Sequence, residues 1–381
     1  MGGIAVGGEL TLCQRSKVNG AEIRERGKVG ESVGAERINE YFCNATIGEM
    51  GMASLIASAM LGVATGSVGD SLQYTEPVYG VTVEKNVVYS IVEGYWDEGP
   101  DHGMPDAIEL ASTLRPPKQL ELKMDIYSPE GDEDADRPLL LMMHGGAYLI
   151  GSKDEKGQTE WCEYFASLGY VAASINYRMG FPLGRKGLMK AEADALEDAR
   201  TALGYLLGRE DLRIDPERVF AAGTSAGAAM ALGLAYGLAG GAAAPAEPAP
   251  AAEPGPGGSS ASGFAPAPPY RIRAVANLWG YVRDLSVLRN ASVPILSFQS
   301  EKDPVVPYRR GFPLRIRQAG RVYGTKAVFD AAQELGIPCE HVPCPEKAHR
   351  LHLDNDGVLT PRFTEIRDRM AAFFAAALLS D

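Results

Sequence analysis

The chain has 381 residues, of which 45% are hydrophobic, so it can form one large domain with a substantial core. Its formal net charge of −12 argues against a nucleic acid partner, because phosphate binding requires a basic surface. Five cysteines are too few, and odd in number, for a disulfide scaffold. Cys339 and Cys344 are close enough in sequence to pair, but free thiols are the favoured prediction. No apolar run reaches the about 20 residues of a membrane-spanning helix.

Residues 1–75 differ in composition from the rest and are predicted to form a poorly ordered N-terminal extension. Within this extension, residues 52–65 form a short apolar segment that resembles the core of a signal peptide. The segment lies far from Met1, and Glu40 and Glu49 stand where a positively charged flank belongs. A start site just before the segment would make export plausible. Localisation therefore stays open, with a cytoplasmic protein favoured over a secreted or periplasmic one.

From residue 76 onward the hydrophobic pattern becomes regular and predicts one α/β domain over residues 76–381. Two stretches alternate polar and apolar residues, as half-buried antiparallel strands do: 85–92 and 119–127. Apolar runs predict buried strands at 138–143, 170–175, 219–222, 272–278 and 294–298, and a last strand is predicted at 339–342. Helical spacing predicts helices at 160–168, 189–208, 325–335 and 363–379. This alternation predicts a mostly parallel, doubly wound sheet with antiparallel N-terminal strands and helices on both faces.

A stretch rich in Ala, Pro and Gly at residues 239–269 interrupts the alternation of strands and helices. Its composition cannot bury enough apolar surface to offset the entropy lost on ordering it. We therefore predict a disordered surface insertion without residue types suited to catalysis.

The pentapeptide Gly-Thr-Ser-Ala-Gly at residues 223–227 is the most informative motif in the chain. It follows an apolar run and precedes a helix-forming run, so it predicts a sharp strand-to-helix turn with Ser225 at its tip. Bulky residues two places either side of the serine would clash with neighbouring backbone. Such a turn lifts the Ser225 hydroxyl above the sheet edge, and Ser225 is therefore the predicted nucleophile.

A second motif, His-Gly-Gly-Ala-Tyr at residues 144–148, follows the predicted strand that ends at residue 143. Adjacent glycines allow backbone amides to turn toward a ligand at low steric cost. We predict that the amides of Gly146, Ala147 and Ala226 form an oxyanion hole, in which each donor is worth roughly 3–4 kcal/mol. His144 is expected to brace the loop by hydrogen bonding rather than to act as a base.

A serine nucleophile needs a base, and the base needs an acid that orients it. The acid is expected just after the strand that follows the serine unit, and Asp303 lies there. Pro304 fixes the backbone next to it, which suits a carboxylate that must stay in place. Glu301, in the same turn, is the alternative acid.

The base is expected after the last strand, where three of the five histidines lie. His341 falls inside the predicted strand, whereas His349 and His352 lie in the following loop. We favour His349 because it is nearer to the end of the strand, and His352 remains the alternative. The order Ser, Asp, His matches the hydrolase topology rather than the orders of the two large protease folds.

Together these motifs resemble those of the esterase and lipase branch of the α/β-hydrolase superfamily, near the hormone-sensitive-lipase-like and feruloyl-esterase-like carboxylesterases. The motifs at 144–148, 223–227 and 303–308 and the loop around His349 carry the resemblance, which covers roughly residues 120–375. The resemblance implies an α/β-hydrolase fold and a serine carboxylesterase that acts through an acyl-enzyme.

Residues 278–294 leave little room for a large apolar lid, which favours short-chain esters over long-chain lipid. Five arginines within residues 309–321 could attract carbohydrate-linked or aromatic acid esters. The triad chemistry needs neither a metal nor an organic cofactor.

The sequence departs from the pattern of that branch in two places. Ala147 replaces the third glycine of the lipase-type loop, which is harmless to an amide donor. Gln299 and Ser300 replace the His-Gly that often precedes the acid, and this leaves the backbone conformation around Asp303 undetermined.

Two other functions remain compatible with the sequence. One is a serine peptidase or amidase with the same triad, and the other is a binding protein with the hydrolase fold but no activity. The predicted partner is a small-molecule ester, and the sequence does not decide the oligomeric state.

Overall fold

The computed structural model describes residues 17–18, 21–22, 74–100, 103–238 and 269–379. The chain divides into two units, residues 1–53 and 54–381. In the first unit, Lys17–Val18 and Ala21–Glu22 pair as two short antiparallel strands. The predicted apolar segment at 52–65 and all but the last residue of the predicted insertion at 239–269 lie outside the described residues.

An eight-stranded sheet is the framework of the second unit. Its strands are β1 Gly80–Gly94, β2 Lys118–Glu130, β3 Arg137–Met143, β4 Val171–Ile175, β5 Ile214–Thr224, β6 Ile272–Leu278, β7 Ile295–Ser300 and β8 Cys339–Cys344. Their order across the sheet is β8-β7-β6-β5-β3-β4-β2-β1. Strands β3 to β8 run parallel to one another, whereas β2 pairs antiparallel with both β1 and β4. The mostly parallel sheet with antiparallel N-terminal strands is thereby confirmed.

Burial explains why apolar residues predominate in the central strands. Every residue of β3, β4, β6 and β7 is buried, whereas most residues of the edge strand β1 are at least partly exposed. A strand covered on both faces has no solvent side, so its sequence is a continuous apolar run rather than an alternation. These strands are accordingly the ones that the sequence pattern predicted best.

Helices cover both faces of the sheet, as predicted. Their bounds are α1 Met104–Ser112, α2 Lys156–Ser167, α3 Arg185–Leu207, α4 Ala226–Tyr236, α5 Thr325–Glu334 and α6 Pro361–Leu378. α2 and α6 share one face, where the rings of Phe165 and Phe374 lie 5.7 Å apart. α3 and α4 pack together on the opposite face, as right-handed crossovers in this strand order require.

A small three-stranded sheet lies outside the main sheet, formed in spatial order by Arg310–Gly311, Val322–Gly324 and Tyr281–Val282. Short 3-10 helices occur at Glu210–Leu212, Leu285–Asn290, Pro313–Arg315 and Arg317–Ala319. The sequence pattern predicts neither the small sheet nor α1. Strands of two or three residues show no periodicity, and α1 has only nine residues with a proline in its first turn.

Cys162, Cys339 and Cys344 are free thiols, as predicted for the last two. Within the described ranges, no helix is long and apolar enough to cross a membrane. The same ranges hold no cluster of three or more His, Cys, Asp or Glu side chains that could bind a metal ion.

Candidate active site

Ser225 occupies a sharp turn between β5 and α4. Its backbone has φ 53° and ψ −111°, a conformation that costs a residue with a side chain roughly 1–3 kcal/mol. The flanking glycines make the turn possible. A Cβ atom on Gly227 would lie 2.1 Å from the carbonyl oxygen of Met143, and one on Gly223 would lie 2.5 Å from the carbonyl carbon of Gly227. The turn therefore requires glycine two places either side of the serine.

The structure brings Ser225, His349 and Asp303 together, although they lie far apart in the sequence. Ser225 Oγ lies 2.8 Å from His349 Nε2, and Asp303 Oδ2 lies 2.8 Å from His349 Nδ1. An ionised carboxylate can only accept hydrogen bonds, so His349 Nδ1 donates to Asp303 and Nε2 accepts from the serine hydroxyl. The Asp303 side chain is fully buried, whereas that of His349 is 15% exposed.

Three donors besides His349 hold the Asp303 carboxylate in place. Oδ1 accepts from the amides of Val305 at 2.8 Å and Val306 at 3.0 Å. Oδ2 accepts from Gln299 Nε2 at 3.1 Å, and Gln299 Nε2 also donates to the Val306 carbonyl at 2.8 Å. The glutamine that departs from the family pattern therefore contacts the acid directly.

The carbonyl end of Gln299 extends this network away from the site. Gln299 Oε1 accepts from the amide of Thr325 at 3.1 Å and from its hydroxyl at 2.9 Å. Thr325 Oγ1 lies 3.1 Å from His341 Nε2, which donates to it because the threonine proton is used on Gln299. Burial lowers the pKa of His341 to about 4. Sequence reasoning missed Gln299 and Thr325, because 26 residues separate them and no motif links them.

The loop after β3 folds back on itself at a glycine. The amides of Leu149 and Ile150 both donate to the Gly146 carbonyl at 3.0 Å. Gly146 has φ 112°, and a Cβ atom there would lie 1.9 Å from the Ile150 carbonyl oxygen. The next residue, Ala147, is also left-handed with φ 56°. These conformations turn the backbone sharply just after the strand.

This loop lies against the serine turn. A Cβ atom on Gly145 would be 3.3 Å from Ser225 Cβ. The hydrogen bonds within the described part of the chain do not use the amides of Gly146 or Ala147. Ala226 is the first residue of α4, so its amide has no partner within the helix. These three amides therefore have no hydrogen-bond partner among the described residues.

His144 braces the loop, as expected, and is buried. Its Nδ1 lies 2.7 Å from the Gly145 carbonyl and donates to it. Its ring stacks on Tyr177 at 4.3 Å, and the Tyr177 hydroxyl donates to the His144 carbonyl at 2.9 Å. Burial lowers the pKa of His144, which keeps the ring neutral.

The two alternative residues lie elsewhere. Glu301 is exposed on the acid turn. His352 is 1% exposed, its ring is stacked on both Trp161 and Trp279 at 5.1 and 5.2 Å, and its Nε2 lies 3.3 Å from Glu155. The structure thus brings neither residue into contact with Ser225 or His349.

The strand order and the serine turn at the carboxyl end of β5 define the α/β-hydrolase fold. Residues 124–241 match the BD-FAE family model. The matched residues include the loop after β3 and the serine turn.

The curated relatives match only part of this chain, and the matched part is a small fraction of their own length. A non-reducing polyketide synthase of Aspergillus terreus is 37% identical over 121 residues, which is 30% of this chain and 5% of that protein. Gut esterase 1 of Caenorhabditis elegans is 33% identical over 112 residues, 28% of this chain and 19% of that protein. The solved structure of Thermogutta terrifontis esterase 2 phosphorylated by paraoxon has 20% identity and a TM-score of 0.46, covering 76% of this chain and 93% of that chain.

Proposed function

We propose that the chain is a serine carboxylic ester hydrolase in which Ser225 is the nucleophile, His349 the base and Asp303 the acid. One observation carries the proposal: Ser225 Oγ and Asp303 Oδ2 each lie 2.8 Å from opposite nitrogens of His349. A serine hydroxyl is a poor nucleophile unless a base takes its proton. Asp303 holds the required tautomer of His349 and stabilises the imidazolium that forms.

The reaction proceeds in two halves. Ser225 Oγ attacks the ester carbonyl carbon while His349 takes its proton, and the amides of Gly146, Ala147 and Ala226 donate to the oxyanion. His349 then protonates the alcohol oxygen, the alcohol leaves and the acyl group stays on Ser225. Water, deprotonated by His349, attacks the acyl-enzyme, the carboxylic acid leaves, and the serine regains its proton.

The proposed substrates are short-chain, carbohydrate-linked or aromatic acid esters. Ser225, Gly146 and Ala147 are all partly exposed, so a small ester can reach the hydroxyl and the amides. This accessibility supports a soluble small ester as substrate.

The decisive experiment is Ser225→Ala with p-nitrophenyl acetate as substrate. The kcat is expected to fall by about 10⁶-fold, because the nucleophile is lost. Retention of more than about 1% of the activity would refute the assignment. A fluorophosphonate probe should label the wild-type chain at Ser225 and leave the variant unlabelled.

The same preparation separates the competing functions. An esterase cleaves p-nitrophenyl acetate and leaves an aminoacyl-anilide largely intact. Faster cleavage of the anilide would instead identify a peptidase or amidase. A chain that reacts with neither the substrates nor the probe would be a silent binding protein.

A further inference from the structure

The stretch between the acid turn and α5 differs in charge from the rest of the chain. Residues 304–329 contain no Asp or Glu, although the whole chain has 49 of these residues and only 37 Lys and Arg. The same stretch contains six cations: Arg309, Arg310, Arg315, Arg317, Arg321 and Lys326. A local excess of positive charge therefore lies on a protein whose net charge is −12.

Most of these cations have no carboxylate partner. Arg309 and Lys326 both pair with Asp330, the first at 2.8 Å. The other four are exposed, and no ion pair within the described residues uses them: Arg310, Arg315, Arg317 and Arg321. Their positive charge therefore faces solvent without compensation.

Aromatic rings orient two of the four arginines. The guanidinium carbon of Arg310 lies 5.5 Å from the centre of the Tyr323 ring, and that of Arg321 lies 5.5 Å from the centre of the Phe312 ring. A ring attracts a cation without cancelling its charge. Both side chains are therefore held in place and still carry a charge that an anion can meet.

Two aliphatic side chains are exposed among the same arginines. Leu314 is 47% exposed and Ile316 is 46% exposed, and residues 314–318 are exposed without interruption. A single exposed aliphatic side chain is common on protein surfaces. Here the order Leu-Arg-Ile-Arg at 314–317 alternates apolar groups with free cations. This combination suits the boundary of a bilayer, where apolar groups enter the lipid and guanidinium groups reach the phosphates.

The surrounding structure holds this segment in an unusual conformation. Leu314 and Arg315 have φ of 51° and 61°, in the left-handed region that residues with a side chain rarely adopt. The Leu314 amide donates to the Val305 carbonyl at 2.7 Å, and Arg283 Nη1 donates to the Ala319 carbonyl at 2.8 Å. Such a backbone persists only where its surroundings enforce it. The fold therefore presents these side chains to solvent in a fixed arrangement.

A lipid bilayer accounts for both features of the segment, whereas a soluble polyanion accounts for one. A polyanion would use the arginines and gain nothing from Leu314 and Ile316. The net charge of −12 opposes approach to any anionic surface, but charges more than about 8 Å apart are largely screened at physiological ionic strength. The charge of the segment itself therefore decides which surface it can contact.

We propose that residues 310–321 form a docking surface for an anionic lipid bilayer. Leu314 and Ile316 enter the interface, and the four arginines without a carboxylate partner contact the phosphates of the lipid headgroups. The proposal concerns where the enzyme is held rather than which bond it cleaves, so it goes beyond the proposed function and does not depend on it.

The test is sedimentation of the full chain with two kinds of vesicle, equimolar phosphatidylcholine and phosphatidylglycerol or phosphatidylcholine alone. The wild-type chain should sediment with the mixed vesicles and stay in solution with the neutral ones. Binding should weaken when sodium chloride is raised from about 0.1 M to about 0.5 M. Arg315→Gln combined with Arg317→Gln should weaken binding about 25-fold, because each basic residue near an anionic surface contributes about fivefold.

A second pair of substitutions separates lipid from a soluble polyanion. Leu314→Ser combined with Ile316→Ser leaves the charge unchanged and removes the apolar groups that enter the lipid. Binding to the mixed vesicles should fall at least about tenfold. Retention on heparin, a soluble polyanion, should not change.

Two matched pairs elsewhere in the chain are the controls. Arg115→Gln combined with Arg200→Gln removes two exposed arginines outside the segment. Ile108→Ser combined with Leu110→Ser replaces two aliphatic side chains of α1 that are 46% and 42% exposed. Both control pairs should bind the mixed vesicles as the wild type does, and thermal melts check that every variant is folded.

Three results would overturn the proposal. The wild-type chain does not sediment with the mixed vesicles, or the control pairs lose as much binding as the pairs in the segment. In the third, the serine pair within the segment binds the vesicles normally while the wild type is retained on heparin, which would assign the segment to a soluble polyanion. The lipid and salt comparisons use the wild-type chain, so they test the proposal even if a variant misfolds. Hydrolysis of p-nitrophenyl acetate without lipid is a separate measurement, so failure of the docking surface would leave the proposed function intact.

Discussion

The two halves of the candidate site are held in place by different means. Ser225 and the loop at 144–148 are fixed by backbone packing, with glycines wherever a Cβ atom would collide. Asp303 and His349 lie on loops and are held by side-chain hydrogen bonds. Ser300 adds to this second half, because its hydroxyl donates to the Glu346 carbonyl and ties the acid turn to the base loop. A single substitution in the serine half should therefore disrupt that half completely. Substitutions in the acid and base half should each remove one hydrogen bond and lower the activity only in part.

The largest effect is expected for Gly227→Ala in the serine half. The new Cβ atom would lie 2.1 Å from one backbone carbonyl oxygen and 2.6 Å from the next, and neither can move without shifting β3. The free energy of unfolding should fall by about 3 kcal/mol or more, and Ser225 should lose its reactivity. Urea unfolding monitored by circular dichroism measures the change.

Gly208→Ala is the control for that substitution. Gly208 ends α3 with φ −80°, and its nearest neighbour for a new Cβ atom is at 3.3 Å. Its stability should change by less than about 1 kcal/mol. Equal destabilisation of the two variants would contradict the claim that close backbone packing fixes the serine half.

A second contrast lies within the base loop. His349→Ala should lower kcat by about 10⁴-fold or more with little change in melting temperature, because the ring contributes chemistry and is partly exposed. His352→Ala should instead destabilise the fold by about 2–4 kcal/mol, since it empties a site between two tryptophan rings. Its folded fraction should keep most of the activity. The opposite pattern would transfer the role of base to His352.

The smallest predicted effect concerns the glutamine behind the acid. Gln299→Leu removes one donor to Asp303 and should lower kcat by about 10–100-fold with little change in KM, as expected for a hydrogen bond to a charged group. Thr325→Val keeps the hydrogen bond from Gln299 to Asp303 and removes only the one from the Thr325 hydroxyl to Gln299. Its kcat should therefore change by less than about threefold. Steady-state kinetics and thermal melts of both variants test this. An equal loss of kcat in both variants would instead indicate a general loss of rigidity in the site.

The sequence predicted the parts of the fold whose causes are local or repetitive. Buried parallel strands appear as apolar runs, and the serine turn is visible because only small residues fit around it. The predicted bounds of the helices and strands are less accurate. The helix predicted at 189–208 begins at Arg185, and the strand predicted at 219–222 begins at Ile214, because edge residues are only partly buried and carry a weaker pattern.

The support of the acid could not be predicted, because it depends on contacts between distant segments. In the sequence, Gln299 is only a departure from the pattern before the acid, and it leaves the backbone conformation around Asp303 undetermined. In the structure it donates to Asp303 and accepts from Thr325, at the start of α5. Nothing in the sequence near Asp303 indicates which later residue will meet it. The choice between His349 and His352 likewise depends on nearness to a strand end, because the sequence does not show the path of the loop.

Helix α3 lines a cavity beside α4 but supplies none of the groups that touch the serine hydroxyl. Substitutions at Met189 or Ala193 can therefore reshape this cavity while the contact between Ser225 and His349 stays unchanged.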